Sequence, residues 1–131
     1  MTRTTYLDPS ALVKLVIDEP GSAAMRRWFI EAERVATSRI GIVETRRAAA
    51  RRPHDAAHLR AVLESVIVVE FDAAVADRVA SVRPASIRTL DAVHVATALM
   101  LGASLEAFVT YDEHQAAAAR DAGLPVVSPA A

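Results

Sequence analysis

Short strand-like runs alternate along this chain with stretches whose apolar residues recur every three or four positions. Arg3–Leu7 reads as a short strand, and Asp8-Pro9 behind it opens a helix to about Ile17. Asp8 takes the N-cap and Pro9 the first helical position, where a missing N–H costs nothing. Pro20-Gly21 breaks the chain. A second helix, about Ser22–Glu33, puts Met25, Trp28 and Phe29 on its inner face. Val35–Thr37 is a short strand. Arg39–Arg51 is helical and ends before Pro53, and His54–Ser65 is helical with Leu59, Val62 and Leu63 spaced for burial. Val66–Val69 is an unbroken β-branched run, which predicts a strand covered on both faces. Asp72–Val82 is helical, with Val75 and Val79 inward and Arg83-Pro84 as its stop; Ala85–Thr89 is a loop. Leu90–Leu101 is a mostly apolar helix that stops at Gly102. Ala107–Thr110 is a strand, Asp112–Ala122 a helix closed by Gly123, and Pro125-Val126-Val127 a last short strand. No repeat, linker or low-complexity tract interrupts the alternation. It predicts a single α/β domain over residues 1–131, with a mostly parallel, short-stranded sheet and helices on both faces.

Composition narrows the function. With 131 residues, 53% of them hydrophobic, the chain can bury a core without covalent staples. It has no cysteine, which excludes disulfides and thiolate zinc sites. No apolar run is long enough to span a bilayer. The opening Met1-Thr2-Arg3-Thr4-Thr5-Tyr6-Leu7-Asp8 carries an acid where a signal peptide has its apolar core, so the expected location is the cytoplasm. The net charge of −1 is silent about nucleic acid. Lys14 is the only lysine, and Arg46, Arg47, Arg51 and Arg52 cluster on one segment. Guanidinium forks suit phosphate, although arginine-rich codon usage is the simpler account of the composition.

The candidate chemistry lies in four acids. Parallel α/β sheets bind ligands beyond the carboxyl ends of their strands. Asp8 follows the first strand directly, and Asp112 follows Ala107–Thr110 with one residue between. Both reach one crevice if these strands are neighbours. Helix capping explains each alone, yet a capping carboxylate keeps spare lone pairs. Asp91 opens a helix whose only other polar residues are His94 and Thr97. The helix dipole favours an acid there, Thr89 already offers the cap, and a buried carboxylate needs a strong partner. Glu44 lies beside Val43 and one turn after Ile40; Arg47 at i+3 offers an ion pair, and Arg46 and Arg47 extend toward whatever Glu44 faces. Packed together, four carboxylates repel and raise one another's pKa. A hard divalent cation relieves that, and an oxygen-only set points to magnesium or manganese. His94, one turn beyond Asp91, reads as a hydrogen-bonded structural histidine before a proton shuttle.

Tyr6-Leu7-Asp8-Pro9-Ser10-Ala11-Leu12-Val13-Lys14-Leu15 resembles the opening motif of PIN-domain proteins. Val43-Glu44 before a basic helix looks like the second motif, Leu90-Asp91-Ala92-Val93-His94-Val95-Ala96-Thr97-Ala98 the third, and Phe108-Val109-Thr110-Tyr111-Asp112 with Ala122–Val126 the fourth. The length resembles the VapC toxins of type II toxin–antitoxin pairs. The resemblance implies a Mg²⁺- or Mn²⁺-dependent endoribonuclease, a homodimer, and a VapB-like antitoxin that blocks the site. It implies that Asp8, Glu44, Asp91 and Asp112 form the catalytic metal cluster, with Ser10 and Thr110 as polar neighbours. Pro9 departs mildly from the Ser, Thr or Asn of many relatives. On this reading Lys14, Arg46, Arg47 and Arg88 contact RNA phosphates. Two other readings compete. A receiver-like Mg²⁺-binding signalling domain needs a lysine late in the chain, where none stands. A catalytically inactive PIN-like binding module is at odds with four retained acids.

Overall fold

A computed structural model describes residues 2–130; residues 1 and 131 of the expected domain lie outside it. The elements run β1 (Thr4–Leu7), α1 (Pro9–Val16), α2 (Ser22–Glu31), β2 (Arg34–Ser38), α3 (Arg39–Ala50) and α4 (Ala56–Glu64). They continue with β3 (Ile67–Val69), α5 (Ala73–Ala80), α6 (Thr89–Leu99), β4 (Leu105–Val109), α7 (Glu113–Asp121) and β5 (Val126–Val127). All five strands are parallel, in the order β3-β2-β1-β4-β5. The chain steps outward from β1 to β2 and β3, then crosses back to place β4 on the other side of β1. The crevice of such a sheet opens at this reversal, between β1 and β4. The order is not the 2-1-3-4-5 of receiver-like folds, which sets that reading aside.

The strands alternate between two cores, as a period of two requires. Leu7, Val35, Ala107 and Val109 face α1 to α4, where they meet Leu12, Leu15, Met25, Ile42 and Val62. Tyr6 and Phe108 face the other way, onto Val95 and Ala98 of α6 and Ala118 and Ala119 of α7. Their rings stack 5.2 Å apart at 11°. Helices thus cover both faces, as expected.

One strand is corrected. The β-branched run at Val66–Val69 predicts a strand buried on both faces, but β3 is an edge strand with Ile67 41% exposed and Val68 and Val69 half-buried. β-Branched side chains report the extended backbone, not its place in the sheet.

Helix starts are capped by short polar side chains. Asp8, Ser38, Asp55, Asp72 and Asp112 each accept from a backbone N–H of the following turn. Asp55 Oδ1 accepts from Ala57 at 2.9 Å and His58 at 3.1 Å, so α4 begins two residues later than His54. Asp55→Ala is expected to cost about 1 kcal/mol, measured as a shift in urea midpoint. No shift would mean that solvent already serves these two donors.

Candidate metal centre

Asp8 is the buried member of the set, 2% exposed. Its Oδ1 accepts from Ser10 Oγ at 2.6 Å and from the Ala11 N–H at 3.1 Å, while Oδ2 accepts from Thr110 Oγ1 at 2.5 Å. The register of β1 on β4 pairs Leu7 with Val109, which sets the next residues, Asp8 and Thr110, side by side at the strand ends. Burial pushes the Asp8 carboxyl above the usual carboxylate range, against the pull of Ser10 and Thr110. The two hydroxyl protons are thereby committed to Asp8. The hydroxyl oxygens accept in turn, Ser10 from the Tyr111 N–H at 2.8 Å and Thr110 from the Asp112 N–H at 3.1 Å.

Thr110 therefore ties Asp8 to Asp112, and Gln115 ties Asp112 to Asp91. Asp112 is exposed, and its Oδ1 accepts from the Gln115 N–H at 2.9 Å. The buried Gln115 side chain donates to the Asp91 carbonyl at 3.1 Å, pinning the start of α7 to the start of α6. Asp91 is half-buried, with Arg88 Nε 3.4 Å from its Oδ2. Burial raises the Asp91 pKa; Arg88 pulls it down and the charge of Asp112 pushes it up. Thr89 does not cap α6. It is the first residue inside the helix, and Arg88 holds the cap position with no side-chain cap bond. Asp91, in the first turn, is then the acid that faces the open N–H groups and the dipole.

Glu44 lies on α3 and makes no direct contact with the other three acids. Its partner is not Arg47 but His94, whose Nε2 lies 2.6 Å from Glu44 Oε1 across 50 residues of sequence. His94 Nδ1 lies 2.7 Å from the Tyr6 hydroxyl, so this histidine is hydrogen-bonded and buried, as expected. No local pattern in the sequence assigns a site role to Tyr6, Gln115 or Gly41, which leaves room for the imidazole. A tyrosine on a buried strand was the available signal, since its hydroxyl must find a partner.

The basic candidates divide. Lys14 is built into the α1–α2 turn: its ammonium donates to the Pro20 carbonyl at 2.7 Å, sits 3.9 Å from Glu19 and lies 4.6 Å over the Tyr111 ring. Arg46 and Arg47 are exposed on α3, and Arg46 lines a groove of about 350 Å³ with Arg39 and Arg60. Arg88 is exposed beside Asp91. A cavity of about 540 Å³ lies among α5, α6 and the end of α7, and none of the four acids lines it.

The donor chemistry fits a hard cation. A carboxylate has about four acceptor sites, and each acid keeps an oxygen with spare capacity: Asp8 Oδ2, Glu44 Oε2, Asp91 Oδ1 and Asp112 Oδ2. Among the described residues, no three acidic or imidazole groups stand close enough together to hold a metal ion by themselves.

Comparison with known proteins identifies the family. The PIN domain matches residues 5–121. Ribonuclease VapC47 of Mycobacterium tuberculosis (strain CDC 1551 / Oshkosh) is 36% identical over 132 residues, covering 96% of this chain and 97% of the relative. Ribonuclease VapC46 of strain ATCC 25618 / H37Rv is 36% identical over 125 residues, covering 95% and 96%. Among solved structures, M. tuberculosis VapC20, described as a sarcin-ricin loop cleaving toxin, superposes with a TM-score of 0.68 at 19% identity over 86% of this chain and 94% of that one. FitAB bound to an IR36 DNA fragment superposes with a TM-score of 0.71 at 20% identity over 95% and 94%. These two show the shared fold. With a full-length relation to named VapC proteins and the PIN match across β1 to α7, the chain belongs to the PIN-domain family, in its VapC branch.

Proposed function

We propose that this protein is a Mg²⁺- or Mn²⁺-dependent endoribonuclease and the toxin of a type II toxin–antitoxin pair. The observation that carries the reading is the buried Asp8 carboxylate at the β1–β4 reversal, clamped by Ser10 and Thr110 and linked through Thr110 to Asp112. Its support is the full-length similarity to proteins named ribonucleases.

Asp8 and Asp91 would hold the ion, with Glu44 and Asp112 completing its surroundings directly or through water. A divalent ion held there supplies a lowered pKa for an attacking water and stabilises charge on the phosphate. Ser10 and Thr110 orient Asp8 and hold its charge in a buried place where it would otherwise take up a proton. Arg46 and Arg47, exposed on the helix that carries Glu44, would meet the RNA backbone. Arg88 pairs with Asp91 and can exchange that partner for a substrate phosphate. Lys14 contributes through the turn it holds. The proposed partners are RNA, a VapB-like antitoxin that covers the acids, and a second copy of the chain. The proposed location is the cytoplasm; among the described residues no helix is long and apolar enough to cross a membrane.

End-labelled RNA incubated with the purified protein tests the reading. Cleavage is expected with Mg²⁺ or Mn²⁺, to stop on adding EDTA, and to return when the metal is restored in excess. Cleavage that survives the chelator, or none with either metal, overturns it.

A further inference from the structure

The acids do not account for the whole of the polar architecture here. A hydrogen-bond chain runs from the sheet to Glu44 through side chains that touch no other acid of the set. The Ser38 N–H donates to the Tyr6 hydroxyl at 3.2 Å, that hydroxyl lies 2.7 Å from His94 Nδ1, and His94 Nε2 lies 2.6 Å from Glu44 Oε1. We propose that His94 is a positioning residue, which fixes the Glu44 carboxylate by relaying the rigidity of the sheet through Tyr6. The proposal rests on the ribonuclease reading, because its benefit to the protein lies in metal binding by Glu44.

The direction of each bond follows from counting protons. The Tyr6 oxygen already accepts from Ser38, and its single proton needs an acceptor. Tyr6 is fully buried, and burial holds its phenol protonated far beyond the ordinary range. The phenol proton is thus directed at Nδ1. With Nδ1 accepting from Tyr6, the N–H of the ring falls on Nε2, aimed at Glu44. Every polar atom of the chain then has a partner. Among the described residues, no buried side-chain polar atom lacks a partner.

The arrangement is built for this ring. His94 is 2% exposed on a helix whose other buried side chains, Thr97 aside, are apolar. A Cβ on Gly41 would stand 3.3 Å from His94 Cε1, so α3 approaches the imidazole closely only where it has no side chain. Both ring nitrogens are engaged and solvent has little access, which argues against a proton shuttle and for a fixed strut. Glu44 needs one: half-buried on α3, its three side-chain torsions would otherwise leave the carboxylate spread among rotamers. Among the described residues, no lysine or arginine nitrogen lies within ion-pair distance of it. Groups that orient a metal-binding carboxylate from behind act by pre-organising it.

Mn²⁺ titration by calorimetry, with steady-state RNA cleavage and urea midpoints on the same preparations, tests the strut. His94→Asn keeps a polar group on the Tyr6 side and loses reach to Glu44. Its Mn²⁺ affinity and kcat are expected to fall by about 10- to 100-fold, with KM for RNA within about twofold of wild type. His94→Gln restores an N–H at the distance of Nε2 and is expected to recover to within about threefold. Tyr6→Phe, which loosens the ring, is expected to fall between. A folded His94→Asn protein with wild-type Mn²⁺ affinity overturns the proposal, as does a folded His94→Gln protein no better than His94→Asn. Should His94→Asn fail to fold, Tyr6→Phe decides: wild-type affinity there overturns it, and weakened affinity upholds it. Failure of the ribonuclease reading looks different, since the wild type itself then neither binds Mn²⁺ nor cleaves. The ring nitrogen signals in metal-free protein decide in that case. A proton on Nε2 upholds the chain, and one on Nδ1 alone overturns it.

Discussion

Asp8→Asn is expected to lower metal-dependent RNA cleavage by more than about 100-fold, since loss of a mere outer partner of a metal ligand already costs 10- to 100-fold. The same substitution is expected to make the metal-free protein more stable at neutral pH. Asparagine keeps the carbonyl that accepts from the Ser10 hydroxyl and the Ala11 N–H, and the Thr110 hydroxyl can rotate to accept from its amide. What it removes is a buried negative charge. Burial raises the Asp8 pKa in the folded protein above its ordinary value of 3.8. Between that value and the raised one, the folded state holds a proton that the unfolded state has released. The stability gained this way is fully present below pH 3.8 and is lost as pH rises through the folded pKa. Asparagine does not titrate, so this loss is absent from the variant. Urea midpoints in EDTA, taken from acid to neutral pH, should show the variant gaining on wild type as pH rises. A gap that stays flat across this range would mean that Asp8 is ionised throughout. Undiminished cleavage by the variant would remove Asp8 from the metal site.

Gly41→Ala is expected to destabilise by up to about 2 kcal/mol, against the usual direction of glycine replacement inside a helix. Alanine brings about 1 kcal/mol of helix propensity. Its Cβ would meet Thr37 Oγ1 at 2.5 Å and His94 Cε1 at 3.3 Å. Neither neighbour can step aside cheaply. Thr37 is fully buried, β-branched and donates from that same oxygen to the Leu7 carbonyl at 2.7 Å. His94 is held at both nitrogens. Overpacking of this kind costs about 1–3 kcal/mol, which outweighs the propensity gain over most of that range. Cleavage should fall as well, because α3 must tilt or the imidazole must leave Glu44. A variant with a raised urea midpoint and unchanged slope would show that α3 stands further from β2 and α6 than described.

The elements were legible because the signals that specify them are local. Asp8-Pro9, Gly123 and the 3.6-residue periodicities act within one turn, and the helices they predict are present to within a few residues. Val66–Val69 misled because side-chain shape says nothing about which neighbour a strand will find. Three of the acids could be read from their positions at strand ends or helix starts. Glu44 could be singled out, but its partner could not: His94 stands 50 residues away, and the nearer Arg47 satisfied the local rule. The roles of Ser10 and Thr110 needed the parallel register of β1 on β4, which no local pattern encodes. Lys14 is the reverse case. A lone lysine beside a motif invites a phosphate contact, and only the folded turn reveals that Pro20, Glu19 and Tyr111 already hold it.

The sheet ends in a strand of three residues on one side and one of two on the other. An exposed parallel edge is a template on which another chain can add its own backbone. Here that template is one or two hydrogen bonds long on either side. Glu70, directly after β3, further marks the longer edge with charge, paired to Arg39 at 2.6 Å. When copies of this protein crowd together, their sheets have almost nothing to zip along. Association must then go through helix faces and side chains, where it can be selective, and not through backbone, where it would be indiscriminate.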